Sequence, residues 1–156
     1  MERGRDETPD ERADRNLGEL LQELRVALPG VQVLFAFLLA VPFQQRFADV
    51  TRFQRDVYLV TLLLSAAASA LLISPTAYHR LNFSRRDKDH IVSVAQRATV
   101  AGLGALALSM TGAVLLVTDW LFGVGIVLLV TLGVGAMFLL LWFALPLARR
   151  RHNDPA

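Results

Sequence analysis

The sequence has no cysteine, which excludes disulfides, thiolate metal ligands and cysteine nucleophiles and leaves the redox compartment unmarked. No signal peptide is expected either, because Met1–Asn16 is densely charged and contains no apolar core of the kind a leader needs. Charge of one sign is not in excess. Sixteen basic against fourteen acidic residues leave a formal net charge of +2, too little to argue for nucleic acid. No nucleophile–base pair, phosphate-binding glycine loop or metal-ligand spacing occurs. His79 and His90 flank a basic loop but do not share the helical spacing of a divalent-metal pair. The reading is therefore non-enzymatic, with no cofactor and no metal. The most telling lack is of charge within four stretches, Val31–Phe43, Val57–Ile73, Val100–Val117 and Leu121–Leu147, none of which contains Asp, Glu, Lys or Arg.

What fills those stretches is apolar. The hydrophobic fraction is 54% and the mean hydropathy +0.44. A helix at a water boundary needs a polar face, and these segments have none. About 20 apolar residues cross the hydrocarbon of a bilayer, a length that the last three stretches approach or exceed and the first reaches only with its flanks. The expected fold is an all-α integral membrane protein, a four-transmembrane-helix bundle with an N-terminal amphipathic cytoplasmic helix. Its expected parts are a cytoplasmic segment over 1–28, a membrane domain over 29–148 with spans near 30–47, 57–78, 94–117 and 120–147, and a basic tail over 149–156.

Local signals set these boundaries. Residues Met1–Glu7 are polar and read as disordered. Thr8-Pro9-Asp10-Glu11 combines a capping residue, a proline suited to the first helical position and a capping-box glutamate. Leu17, Leu20, Leu21, Leu24 and Leu28 then share one helical face, and Glu19, Gln22, Glu23 and Arg25 lie off it. That leucine face is expected to pack on the bundle or on lipid, with docking of a cytoplasmic protein partner through 9–28 as the alternative. Pro29-Gly30 predicts a kink or break. Thr51-Arg52-Phe53-Gln54 is a second capping box, opening the second helix. Tyr58 and Tyr78 lie 20 residues apart, about 30 Å along a helix, and bracket that span as interfacial anchors. Pro75 falls inside its cytoplasmic end as a kink or stop. Ser84 and Asp87 can cap a third helix, Thr118-Asp119 predicts a tight hairpin with Asp119 capping the fourth, and Trp120 with Trp142 forms a second anchor pair.

Orientation follows from the basic residues. Arg3, Arg5, Arg12, Arg15 and Arg25, then Arg80, Arg85, Arg86, Lys88 and Arg97, then Arg149, Arg150 and Arg151 fall on one side. Arg46, Arg52 and Arg55 fall on the other, thirteen against three, which places both termini in the cytoplasm of a cell-membrane protein. Arg80, Arg85, Arg86 and Lys88 make the loop between the second and third spans a candidate contact for anionic lipid headgroups or a partner's acidic segment.

Ala98, Gly102, Ala105, Ser109 and Gly112 recur every three or four residues along the third span and make a smooth stripe where helix backbones can approach. Packing within the chain is expected, and a homo-oligomer seam is the alternative. No ionisable group falls near mid-span. Thr61, Ser65, Ser69, Ser109, Thr111 and Thr131 are expected to bond back to their own helix. Gln96 and Arg97 are the candidates for a polar path if the chain moves an ion.

The stretches Glu7-Thr8-Pro9, Glu11-Arg12-Ala13-Asp14-Arg15, Glu19-Leu20-Leu21-Gln22-Glu23-Leu24-Arg25-Val26, Gln44-Gln45-Arg46-Phe47 and Pro75 followed by Tyr78-His79-Arg80 together resemble a family of small actinobacterial membrane proteins classified as a domain of unknown function. The resemblance runs from about Glu7 to Val117. Its members often carry the label sodium:proton antiporter, so the resemblance implies an actinobacterial source and antiport as an alternative to an accessory, scaffolding or regulatory role. In that alternative several chains assemble into an oligomeric transporter or channel.

Overall fold

The computed structural model describes residues 9–82, 88–146 and 148, and all of its regular elements are helical. Helix α1 spans Pro9–Ala40, α2 Arg52–Asn82, α3 Lys88–Leu121 and α4 Val124–Leu139, the last prolonged by a π-helical turn over Leu140–Ala144. Two 3-10 turns, Val41–Phe43 and Gln45–Asp49, join α1 to α2. Among the described residues, four helices carry stretches long and apolar enough to cross a membrane: Gly18–Phe43, Arg52–Ala77, Val92–Leu121 and Val124–Ala144. At 1.5 Å per residue the shortest of them, 21 residues, reaches about 31 Å, one hydrocarbon thickness. Much of their surface is exposed and apolar. Leu129 is 75% exposed, Phe37 and Leu132 are each 69%, and such surface needs lipid around it. By length and composition these are the helices of a multi-pass membrane protein.

The first helix departs from expectation. It runs through Pro29 without a break, so the leucine-rich segment and the first apolar stretch form one 32-residue rod. A proline costs a helix one N–H, but an interruption at that depth would leave several backbone groups unpaired. The inward face of the rod is continuous from end to end. Leu24, Val31 and Leu38 are buried and Leu20, Leu28 and Leu34 half-buried, whereas Glu19, Gln22, Glu23 and Arg25 are exposed. Leu24 and Val31 join Ala68 and Leu72 of α2 and Leu106 of α3 in the core. The rod ends at Ala40 because Pro42 has no N–H to continue it and Gln44 is extended (φ −77°, ψ 139°). The first span therefore ends short of Phe47.

α2 and α3 make the most extensive helix pair, and α1 lies against both. Gly102 explains how closely they approach: a Cβ built there would lie 2.8 Å from Leu72 Cγ and 3.2 Å from Leu71 Cβ, inside normal contact. Gly112 in turn faces Thr61. Between them Ser109 is fully buried, and its Oγ donates to the Thr61 carbonyl at 3.0 Å, a bond across helices rather than along α3. Thr61, Ser69 and Thr111 do bond back to their own helices, at Val57, Ser65 and Ala107. The hydroxyls of Ser65 and Thr131 are buried without a hydrogen-bond partner.

The last turn of the bundle lies elsewhere than Thr118-Asp119. Both residues, and Trp120, are inside α3, and the chain reverses at Phe122-Gly123, where Gly123 is extended and its carbonyl accepts from the Ile126 and Val127 amides. Thr118 stays helical because its Oγ1 donates to the Val114 and Leu115 carbonyls. The fourth helix thus begins at Val124 rather than Trp120, and the two tryptophans sit on different helices. α4 leans on α3 through contacts such as Gly104 with Phe143 and buries Val127 alone over Val124–Leu139.

Candidate functional site

At two of the prolines in the candidate spans, Pro42 and Pro75, a hydroxyl bonds the carbonyl that the missing N–H leaves without its helical donor. Pro42 cannot donate to the Leu38 carbonyl four residues back. The Tyr58 hydroxyl of α2 does so instead, at 2.9 Å in a buried position. Pro75 cannot donate to the Leu71 carbonyl, and Ser74 Oγ bonds it at 2.8 Å. That is why α2 runs on past Pro75 to Asn82 rather than stopping there. The Tyr58 bond also ties α2 to the end of α1, and the Tyr58 ring is held edge-on to Phe47 at 5.3 Å between centroids.

Gln54 organises the same end of the molecule. The capping box forms as its sequence predicts: Thr51 N donates to Gln54 Oε1 at 3.0 Å, and Gln54 N donates to Thr51 Oγ1 at 3.2 Å. The remaining amide group then reaches across to α3, where Gln54 Nε2 donates to Asp119 Oδ2 at 2.8 Å, partly buried. Asp119 is thus a tie between the start of α2 and the end of α3, in place of the expected cap for α4.

Beside this clasp lies a half-open cavity of about 370 Å³, lined by residues of α1, α2, α3 and the α1–α2 connection. Leu34, Phe37, Leu38 and Val41 of α1 form one wall, and Ala113, Leu116, Val117 and Trp120 of α3 form the other. Tyr58 stands at the back, and Gln44, Phe47, Val50 and Gln54 close the loop end. The lining is almost wholly apolar, and Gln44 and Gln54 add almost no polar surface to it. Its volume falls within the roughly 300–1,000 Å³ of small-molecule sites. The sequence offers no motif for this cavity, since its walls are ordinary apolar helix residues.

The sequence candidates fall elsewhere. Gly102, Ser109 and Gly112 meet α2 as described, Ala105 packs on the core cluster, and Ala98 is half-buried. Gln96 and Arg97 are exposed on the outside of α3 and are not brought together with the interior hydroxyls. Arg85 and Arg86 lie outside the described residues, as do the side chains of Arg80 and Lys88, the Thr8 cap and the basic tail from Arg149.

A profile described as "Family of unknown function (DUF6328)" matches residues 6–146. The chain belongs to that family. The match continues beyond Val117, where the resemblance carried by local motifs ends, so α4 is part of the shared sequence and not an appendage. No curated protein and no solved structure matches the chain.

Proposed function

We propose that this DUF6328 member is a non-enzymatic protein of the cell membrane, with both termini in the cytoplasm and an accessory, scaffolding or regulatory role. One observation carries the reading: among the described residues, most of the interior hydroxyls and amides are engaged in building the bundle, those of Ser65 and Thr131 apart. Tyr58 and Ser74 repair proline-broken helix bonds, Ser109 and Gln54 join α2 to α3, and Thr61, Ser69 and Thr111 bond their own helices. Side chains committed in this way hold the fold rather than carry ions or substrates. The arginine asymmetry supports the orientation. It puts Arg80, Arg85, Arg86 and Lys88 on the cytoplasmic surface for anionic lipid or an acidic partner segment, beside the charged side of 9–28. Sodium:proton antiport would require Gln96 and Arg97 to line a path, and in a single chain both face outward.

Purified protein reconstituted into liposomes with an internal pH dye tests the role. No sodium-dependent proton movement is expected above that of empty vesicles, and clear electroneutral exchange would overturn the proposal. Reporter fusions after Asp49, Arg86 and Ala156 test the orientation. Activity of the Arg86 fusion on the outer side would reverse it.

A further inference from the structure

We infer that the outward face of α1 around Gln32 is the seam of a parallel homodimer, in which the Gln32 carboxamides of two chains hydrogen-bond to each other near the middle of the bilayer. This goes beyond the accessory role and rests only on the chain spanning a membrane, so its failure would leave that role standing.

Gln32 lies at mid-depth. It sits between Val31 and Val33, fourteen residues from the start of the Gly18–Phe43 span and eleven from its end. The neighbouring helix gives the same level. α1 and α2 run in opposite directions with Tyr58 bonded to Leu38, so seven residues back along α1 and seven forward along α2 bring Val31 level with Ser65. Ser65 is thirteen residues from Arg52 and twelve from Ala77, the middle of its own span. At 1.5 Å per residue the nearer end of the first span is about 16 Å from Gln32, well beyond the reach of its side chain.

Gln32 is exposed, and its amide has no hydrogen-bond partner among the described residues. Every other exposed polar side chain in the four candidate spans lies within the first or last eight residues of its span, where headgroups and water are in reach. Among the described residues α4 packs on α3 and not on α1, so it does not cover Gln32. Lipid tails offer an amide no partner, and an unpaired amide in hydrocarbon is strongly disfavoured. A hydrogen bond to another helix resolves this.

The chemistry of the group selects the occupant. A carboxamide holds an acceptor and donors together, so the same group across a two-fold axis completes both: each Oε1 accepts from the partner's Nε2. Copies of one chain insert in the same orientation, so two α1 helices run parallel and Gln32 meets its counterpart at the same depth. A different membrane protein would need a polar group placed independently at that level. The flanking side chains leave room. Ala36 and Ala40 follow Gln32 at four-residue intervals, on the same side of the helix, and both are exposed, so two backbones can come close beside the amides. On α4, Leu128, Leu129 and Leu132 are exposed as well but carry no group that lipid leaves unsatisfied.

The chain has no cysteine, so single introduced cysteines report proximity without background. In membrane vesicles containing the full chain, oxidation with copper phenanthroline should give disulfide-linked dimers of Ala36→Cys and not of Leu129→Cys. For affinity, purified Ala156→Cys protein is labelled with donor or acceptor dye and reconstituted over a series of lipid-to-protein ratios. Energy transfer then gives the dissociation constant. Adding Gln32→Leu should raise that constant about tenfold, the effect of two interhelical hydrogen bonds of the strength usual in membranes. Its helix content by circular dichroism should match the parent, because the exposed amide holds nothing within the chain. A parent that stays monomeric at every ratio, parental association of Gln32→Leu, or cross-linking of Leu129→Cys as efficient as that of Ala36→Cys would each overturn the inference. Cross-linking of Ala36→Cys to a different protein, with no self-linked dimer, would assign the face to that partner and overturn it too.

Discussion

Replacing Tyr58 with Phe removes one hydroxyl and keeps the ring, and with it the edge-on contact to Phe47. The Leu38 carbonyl then has no donor, because the residue four places on is Pro42. A buried carbonyl left unpaired costs about 1–3 kcal/mol in proteins generally, and hydrogen bonds measured inside membrane bundles sit toward or below the low end of that range. A loss of about 1–2 kcal/mol is therefore expected, which for a chain of this size lowers the melting temperature by roughly 2–8 °C. The informative step is the second substitution. Pro42→Ala alone frees the unfolded chain and costs about 0.4–1 kcal/mol, but it also returns an N–H that can reach Leu38 once the 3-10 turn relaxes into α-helix. In the Tyr58→Phe background that N–H should repair the fault, so the double variant should be more stable than the two single losses predict, by about 1 kcal/mol. Thermal unfolding of the four proteins in one detergent, followed by circular dichroism, completes the cycle. If the two losses simply add, or if Tyr58→Phe melts with the parent, the hydroxyl does not stand in for the missing N–H.

Three further outcomes follow from the packing and the clasp. Gly102→Leu should destabilise by about 1–3 kcal/mol because Leu71 Cβ cannot withdraw, whereas Gly133→Leu, with nothing within 4 Å of its Cβ position, should melt with the parent; equal melting of both would place the Gly102 face against lipid. Asp119→Leu should cost about 1 kcal/mol by stranding Gln54 Nε2, and Asp119→Asn should cost little because an amide oxygen still accepts; a loss in Asn as large as in Leu would show that charge, not the hydrogen bond, matters. Ser74→Ala should cost about 1 kcal/mol and Ser69→Ala less, since the carbonyl that Ser69 bonds has no proline opposite it; the reverse order in thermal melts would contradict the repair role.

The parts of this fold that can be read from sequence are those set by local chemistry. Long uncharged runs reveal spanning helices because bilayer thickness imposes their length, and Thr51 with Gln54 reveals a helix start because the capping box closes within four residues. Tertiary partners decided the rest. Thr118-Asp119 has the composition of a cap, but Thr118 finds carbonyls in its own helix and Asp119 finds Gln54 on another, so the turn moves on to Gly123. Pro29 reads as an interruption, but the leucines before it and the valine and leucines after it fall on one face, and a continuous rod buries both sets together. Ser109 reads as a self-satisfied hydroxyl, yet the closeness permitted by Gly102 and Gly112 brings the Thr61 carbonyl within reach. The cavity has no sequence signature, since its lining is assembled from ordinary apolar residues of three helices and the α1–α2 connection, brought together only by the tertiary fold.

The one-sided attachment of α4 bears on how the chain is made. The helix buries only Val127 over its α-helical length, and its mean hydropathy of 2.7 is the highest of the four candidate spans. Lipid alone suffices to keep such a segment inserted. The three preceding helices already share a core and a clasp, and every bond in that clasp is available once Asp119 has been synthesised. Biogenesis can then proceed as a three-helix unit that acquires its last helix afterwards, that helix turning at Gly123 to settle onto α3 and bring Trp142 against the shared core.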